Sequence, residues 1–213
     1  MMDRPLIIIG AGGHAKVVLD TALSLGYEVL GLADANTETH GNSILDTSVA
    51  GDDEWVETYL PETVMLGNGI GSIDDTEARQ RIYSGFRAKG YKFATLVHPS
   101  AMIGRDVELG NGTVVMAGAV IQPGCRIGDN VIINTGARVD HDSRVGDHSH
   151  IAPGAVLSGS VQIGENAHIG TGATIVQSIT IGDDSLVAAG AVVVKNAPRN
   201  SKIIGMLGKD ISS

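Results

Sequence analysis

The chain has 213 residues, of which 43% are hydrophobic and only 3% aromatic, with 29 glycines and a formal net charge of −9. An acidic chain without a basic cluster is a poor candidate for nucleic-acid binding, and no apolar run is long enough to span a membrane. A single cysteine, Cys125, excludes a disulfide framework, and the apolar run at residues 6–9 is too short for a signal peptide. We therefore expect a reducing, cytoplasmic location.

The first 96 residues are predicted to form a small α/β domain. The order strand, helix, strand at residues 6–9, 14–25 and 28–33 implies parallel strands. Further elements are predicted as a strand at 64–66, a helix at 75–88 and a strand at 93–97. Residues 36–53 are polar and contain glycine, so we predict that they are mostly loop.

A glycine-rich turn follows the first predicted strand. The sequence Gly10-Ala11-Gly12-Gly13-His14-Ala15 fits G-x-G-x-x-A, and Asp34 ends the second strand. This pattern is typical of dinucleotide binding, but a helix N-terminus with exposed amides binds any phosphate. A nicotinamide-binding regulatory protein is one hypothesis, and it depends on this turn alone. His14 either contacts a ligand or faces solvent.

A repeat of six residues begins at Val97. Every sixth position carries Ile, Leu or Val over seventeen consecutive steps, namely residues 97, 103, 109, 115, 121, 127, 133, 139, 145, 151, 157, 163, 169, 175, 181, 187 and 193. Small residues mostly follow four positions later, and Gly, Asp, Asn or Ser three positions later, as corners require. The pattern predicts a parallel β-helix over residues 97–198, with three hexads in each 18-residue coil and a tail at 199–213.

The repeat resembles that of the hexapeptide-repeat acyltransferases. This resemblance implies left-handed coils and assembly as a homotrimer, neither of which the period itself gives. The same coils also occur in γ-class carbonic anhydrases, which require three histidine ligands across a subunit interface.

His141 is the candidate general base. It lies two positions after the repeat position Val139 and is therefore predicted outside the coil. Attack on a thioester needs a base with a pKa near neutral, which histidine supplies. Asp142 follows directly and is placed to orient the imidazole, although Asp is also an ordinary corner residue.

Residues 18 apart stack on adjacent coils, which places Gly159 above His141. A glycine there leaves room for a thioester, and its N–H is placed to stabilise the oxyanion, unless it only eases the bend. His168 stacks above His150, but no third ligand has a clear spacing, so no metal is expected. His148 is predicted to be a structural corner residue, and Cys125 points inward.

Three segments resemble the sialic-acid O-acetyltransferase and bacillosamine N-acetyltransferase group. They are Asn134-Thr135-Gly136-Ala137, Asp140-His141-Asp142 and His150-Ile151-Ala152-Pro153-Gly154-Ala155. The resemblance implies that His141 is the base, that His150 lies at the acetyl-CoA site and that Asn134 lies near the reacting groups. It also implies a half-Rossmann N-terminal domain that holds a nucleotide sugar. In that domain Gly12, Gly13 and His14 would contact phosphates or sugar, and Asp34 the nucleoside.

The resemblance predicts an acetyl-CoA-dependent N-acetyltransferase of nucleotide-linked 4-amino-4,6-dideoxy sugars, with direct attack by the amine. GDP-linked perosamine is the first expected acceptor, a UDP-linked bacillosamine precursor is the second, and sialic acid O-acetylation is the alternative. Relatives often carry a Gly-x-Pro-Ala turn that contacts coenzyme A, whereas this tail has Gly205-Met206-Leu207-Gly208.

Overall fold

The computed structural model describes residues 4–72 and 77–205. Its N-terminal part is α/β, as predicted. The elements are β1 (Leu6–Ile9), α1 (Gly13–Ser24), β2 (Val29–Ala33), β3 (Ser43–Ile44), β4 (Thr47–Gly51), α2 (Asp53–Glu57), β5 (Met65–Asn68) and α3 (Glu77–Ala88). The described helices include none that is long and apolar enough to cross a membrane.

The N-terminal sheet has the strand order β3-β4-β2-β1-β5, in which β3 is antiparallel and the other strands are parallel. All four residues of β1 are buried, as expected for a central strand covered on both faces. The carboxyl ends of β1, β2 and β5 are therefore neighbours at one edge of the sheet. Ligands of parallel α/β sheets bind at such an edge.

The prediction that residues 36–53 are mostly loop was wrong. β3 and β4 form a hairpin through Leu45 and Asp46, which both have positive φ, and β4 pairs with the edge of β2. The turn lacks the Asn-Gly signature of such hairpins, and the polar strand gains its partner only from the folded sheet. The strand predicted at 93–97 is also shorter, since Phe93 makes only a single bridge to Leu66.

The solenoid consists of two-residue strands on three faces, here called faces 1, 2 and 3 in chain order. Face 1 contains β6 (Leu96–Val97), β9 (Val114–Val115), β12 (Ile132–Ile133), β15 (His150–Ile151), β18 (His168–Ile169), β21 (Leu186–Val187) and β23 (Lys202–Ile203). Face 2 contains β7 (Met102–Ile103), β10 (Val120–Ile121), β13 (Arg138–Val139), β16 (Val156–Leu157), β19 (Thr174–Ile175) and β22 (Val192–Val193). Face 3 contains β8 (Glu108–Leu109), β11 (Arg126–Ile127), β14 (Arg144–Val145), β17 (Gln162–Ile163) and β20 (Thr180–Ile181).

The predicted period and corners are confirmed. Strands pair in parallel with the strand 18 residues away, as Val120 does with Arg138. The repeat positions and small residues such as Ala137 and Ala155 fill the interior. Corner residues including Asp142 and His148 adopt positive φ. The last face 1 strand, β23, pairs with β21, so the solenoid continues past residue 198.

The N-terminal part packs against face 1 of the solenoid. Leu19 and Ala22 of α1 share a buried cluster with Leu96, Val114 and Met116. This packing brings the carboxyl edge of the N-terminal sheet against the coils around residue 134.

Candidate active site

A pocket of about 650 Å³ lies where the carboxyl edge of the N-terminal sheet meets the solenoid. It brings together residues predicted separately for substrate and donor binding. Its lining comprises Gly10, Gly12, Gly13, His14, Val17, Asp34, Gly69, Ile70, Gly71, Ser72, Asn134 and His150. His141, Asp142 and Gly159 are not part of this lining.

The N-terminus of α1 forms one wall of the pocket. Gly12 is the N-cap and Gly13 the first helical residue, and a Cβ added at either would meet nothing within 4 Å. The first amides of a helix lack intrahelical partners and attract anions. No Lys or Arg lines the pocket within the described ranges.

Asp34 supports this turn from the end of β2. One carboxylate oxygen accepts the Ala11 N–H at 2.6 Å, and the other accepts the Asn36 N–H at 2.8 Å. The carboxylate thereby joins the glycine turn to the loop after β2, and it also lines the pocket.

A second glycine turn, residues 69–72, also lines the pocket next to the first turn and was missed from the sequence. A Cβ on Gly69 would lie 2.7 Å from the Ile9 carbonyl oxygen and 2.8 Å from the Ala15 Cβ, so only glycine fits where the two turns meet. The signal was present, because Gly69 and Gly71 come soon after the strand predicted at residues 64–66, and α/β sheets bind ligands beyond the carboxyl ends of their strands.

Arg79 holds this second turn and was also missed. Its Nη1 donates to the carbonyls of Asn68 at 2.8 Å and Ile70 at 2.9 Å, and its Nε donates to Asn130 of the solenoid at 3.2 Å. The side chain is fully buried, and desolvation lowers its pKa to about 9. Arg79 thus ties the pocket wall to the β-helix.

His150 connects the two sides of the pocket in one defined tautomer. The Asn134 Oδ1 accepts the Thr135 N–H at 2.8 Å, so the Asn134 Nδ2 donates to the His150 Nε2 at 3.0 Å. The His150 Nδ1–H then donates to Ser72, whose Oγ lies at 2.8 Å and carbonyl oxygen at 3.2 Å. Burial lowers the pKa of His150 to about 3, so the imidazole is neutral.

His14 points its Nε2 into a buried position in which it makes no hydrogen bond to any residue that the structure describes. Burial, followed by the positive charge of Arg79, lowers its pKa to about 3. His14 is therefore a neutral group with one unused hydrogen-bonding atom, and the alternative of a solvent-facing helix residue does not apply.

His141 and Asp142 form an exposed pair at the corner between faces 2 and 3. The His141 Nδ1–H donates to the Asp142 Oδ2 at 2.8 Å, and the two side chains are 59% and 69% exposed. The hydrogen bond to Asp142 is the main reason that the pKa of His141 is raised. This bond leaves the Nε2 unprotonated in the neutral form and able to take a proton.

The coils above and below shape the surroundings of this pair. A Cβ on Gly159 would lie 2.6 Å from the His141 Nε2, and a Cβ on Gly124 would lie 2.7 Å from the Asp142 Oδ1. The predicted stacking of Gly159 on His141 is confirmed by this contact. The Gly159 N–H makes no hydrogen bond within residues 4–72 and 77–205.

The remaining candidates line neither the pocket nor the exposed corner of His141 and Asp142. His148 stands at a corner, accepts from Asn130 at 2.9 Å and packs edge-on against Tyr83. Cys125 is buried inside the coil with its pKa raised by burial. The ring centroids of His150 and His168 lie 4.8 Å apart in an edge-to-face arrangement. Within the described part of the chain no group of three His, Cys, Asp or Glu side chains is arranged to hold a metal.

Two family models match the chain in the order that the fold requires. The PglD N-terminal domain matches residues 5–86, and the bacterial transferase hexapeptide repeat matches residues 106–141, 124–159 and 160–195. The acetyltransferase domain of PglB from Neisseria gonorrhoeae FA1090 is 38% identical, with a TM-score of 0.87, over 95% of this chain and 97% of that one.

The chain belongs to the hexapeptide-repeat sugar N-acetyltransferases with a PglD N-terminal domain. PerB of Caulobacter crescentus, solved with CoA and GDP-perosamine, is 39% identical with a TM-score of 0.86, and the match covers 94% of each chain. A UDP-N-acetylbacillosamine N-acetyltransferase of Bacillus subtilis (strain 168) is 34% identical over 127 residues. That match spans 54% of this chain and about half, 52%, of the curated relative.

Membership in these sugar N-acetyltransferases confirms the predicted family, the left-handed β-helix and the enzyme class. The PglB domain has also been solved with acetyl coenzyme A, which agrees with the predicted co-substrate.

Proposed function

We propose that the chain transfers an acetyl group from acetyl-CoA to the 4-amino group of a nucleotide-linked 4-amino-4,6-dideoxy sugar, with GDP-perosamine as the first candidate. The observation that carries the proposal is one pocket that combines the Gly12–Gly13 helix start with Asn134. This pocket suits a diphosphate at the helix start and a polar part of the substrate beside Asn134. Relatives with names that specify GDP-perosamine and UDP-N-acetylbacillosamine support both nucleotides.

In this proposal the sugar nucleotide occupies the pocket through its diphosphate at the start of α1. The amide donors bind the charge there, and Asp34 faces the nucleoside. Neutral His14 offers its unused Nε2 for a hydrogen bond, whereas neutral His150 adds no positive charge and bonds Asn134 and Ser72 with its two ring nitrogens. His150 also orients the Asn134 amide, and through it the groups that react.

The chemical step is direct attack by the sugar amine on the thioester carbonyl. The C–N bond forms, the His141 Nε2 removes the amine proton, and Asp142 stabilises the imidazolium. The developing oxyanion accepts the Gly159 N–H. The C–S bond then breaks, and the CoA thiolate leaves with the proton that His141 carried. No covalent enzyme intermediate is required.

This proposal requires a second copy of the chain. The pocket lies at face 1 and the following corner, whereas His141 lies at the next corner, beyond β13. The base of one chain therefore serves the pocket of its neighbour, which supports the homotrimer that the resemblance implies. We also propose a cytoplasmic location, consistent with Cys125 being a free thiol.

The decisive assay measures release of free CoA thiol with GDP-perosamine, UDP-linked 4-amino sugars and sialic acid as acceptors. Turnover with one amino sugar supports the proposal and identifies the nucleotide. Turnover with sialic acid alone would replace it with O-acetylation. His141→Ala should remain folded and lose nearly all turnover, and normal turnover by this variant would refute the role of the base.

The pocket and the assembly have their own tests. Gly13→Asp places a carboxylate at the start of α1 and should raise the KM for the nucleotide sugar, whereas Gly13→Asn should not. Mixing Gly13→Asp chains with His141→Ala chains should restore turnover, because a mixed assembly pairs the intact pocket of one chain with the intact base of the other. The expected mass by light scattering is three times the 22.0 kDa chain. A monomer with full activity, or no restoration, would contradict the shared site.

A further inference from the structure

The peptide group between Ser158 and Gly159 is held from inside the coil by Ser143. The Ser143 Oγ donates to the Ser158 carbonyl oxygen at 3.2 Å and accepts the Val161 N–H at 3.1 Å. Ser143 is completely buried, so the Ser158 carbonyl points into the coil.

The opposite side of the same peptide points outward. In a planar trans peptide the C=O and N–H bonds point in opposite directions, so the Gly159 N–H faces away from Ser143. Gly159 is also the residue that approaches the His141 Nε2, where an added Cβ would lie at 2.6 Å. The hydroxyl of Ser143 therefore fixes the direction of an N–H beside the base.

We propose that Ser143 is a positioning residue for acetyl transfer, which aligns the Gly159 N–H with the oxygen of the thioester carbonyl. This proposal rests on the proposed function and adds a residue that never touches the substrate. An oxyanion donor stabilises the transition state only when its N–H bond points at the developing charge. A loosely held peptide group should therefore reduce transition-state stabilisation more than it reduces substrate binding.

The solenoid contains the same bridge where no base lies beside it. Ser149 donates to the Gly164 carbonyl at 2.7 Å and accepts the Ala167 N–H at 3.0 Å, which are the same sequence offsets as for Ser143. Ser149 is also fully buried. It is therefore a matched control with the structural role alone.

One coil below Ser143, the Cys125 thiol donates to the Asp140 carbonyl at 3.1 Å, so a thiol also fits this position.

The experiment compares Ser143→Ala with Ser149→Ala in acetyl-transfer kinetics and thermal unfolding. We expect similar losses of thermal stability in both. Only Ser143→Ala should lower kcat, by about 10- to 100-fold, since complete loss of one oxyanion donor costs about 10²–10³. The KM for the nucleotide sugar should not change. Equal kcat values for the two variants would overturn the proposal.

Two further measurements separate positioning from a local disturbance. The acid limb of the kcat/KM pH profile should stay unchanged in Ser143→Ala, and a shift would show that the effect passes through the neighbouring Asp142. Ser143→Cys should recover part of the lost kcat. If Ser143→Ala does not fold, Ser143→Cys is compared with Ser149→Cys, and only the first should show a several-fold lower kcat.

Failure of this proposal is distinguishable from failure of the proposed function. An active wild type and an inactive His141→Ala, together with Ser143→Ala matching Ser149→Ala, would refute only the role of Ser143. A wild type without amino-sugar acetylation would refute the function itself.

Discussion

Replacing Gly159 with alanine should remove most acetyl-transfer activity while the fold remains intact. The new Cβ would lie 2.6 Å from the Nε2, 2.7 Å from the Cε1 and 3.3 Å from the Cδ2 of His141. The φ of Gly159 is outside the left-handed region, so the backbone accepts alanine. The side-chain contact alone produces the effect.

The size of the effect follows from the displacement of the imidazole. Relief of a 2.6 Å contact to a normal separation of about 3.5 Å moves the ring by about 0.9 Å. A misplacement of about 1 Å in a catalytic group costs about 10²-fold, or about 2.7 kcal/mol in the barrier. Because His141 is exposed, the ring moves with little loss of stability, within about 0.5 kcal/mol.

The assay is thiol release at saturating acetyl-CoA, with chemical unfolding of the same preparation. Gly85→Ala is the control, since a Cβ at Gly85 in α3 meets nothing within 4 Å and should leave kcat unchanged. If Gly159→Ala keeps the wild-type kcat, then either the imidazole at this corner is not the base or its position does not matter, and the reasoning fails.

Three other perturbations test the electrostatics and the pocket. Asp142→Asn removes the carboxylate that raises the pKa of His141, so the acid limb of the kcat/KM profile should move to lower pH; an unmoved limb would contradict this. His14 and His150 have pKa values of about 3 against 6.5 when unfolded, so each adds stability above pH 6.5 that is lost as the pH falls toward 3. At pH 5 the loss is about 2 kcal/mol for each, and His14→Gln should reduce the pH dependence of urea unfolding by that amount; an unchanged dependence would count against the buried neutral form. Arg79→Lys should cost about 2–4 kcal/mol, because buried carbonyl acceptors lose their donor, and should raise the KM for the nucleotide sugar; a wild-type KM would show that the turn does not depend on Arg79.

The sequence alone predicted the solenoid in detail because its geometry is local and periodic. A residue type at every sixth position specifies which side chains point inward, and a step of 18 specifies which residues stack. The contact between His141 and Gly159 follows from that arithmetic. The bond between His141 and Asp142 was also predictable, because the two residues are adjacent at a corner.

The pocket was predicted only in part because it depends on packing between the two parts of the chain. The turn at Gly12 and Gly13 has a local signature, but Ser72 and Arg79 are recognisable only when α3 and the second glycine turn meet the coils. The hairpin at residues 43–51 was missed for a similar reason, since β4 is polar and gains stability from pairing with β2.

The periodic solenoid and the packing between the two parts of the chain also explain why the proposed base and the proposed sugar-nucleotide pocket lie in different places. In the proposed mechanism the base and the oxyanion donor must keep a fixed separation, and the stacked coils hold His141 and Gly159 together without help from any other domain. In the proposed function the sugar nucleotide is selected by shape and charge, which requires a concave surface. The N-terminal part supplies that surface on face 1, away from the base at the next corner. Under this proposal the chain carries the two parts of one site at separate corners, and a neighbouring copy is the simplest means of bringing them together.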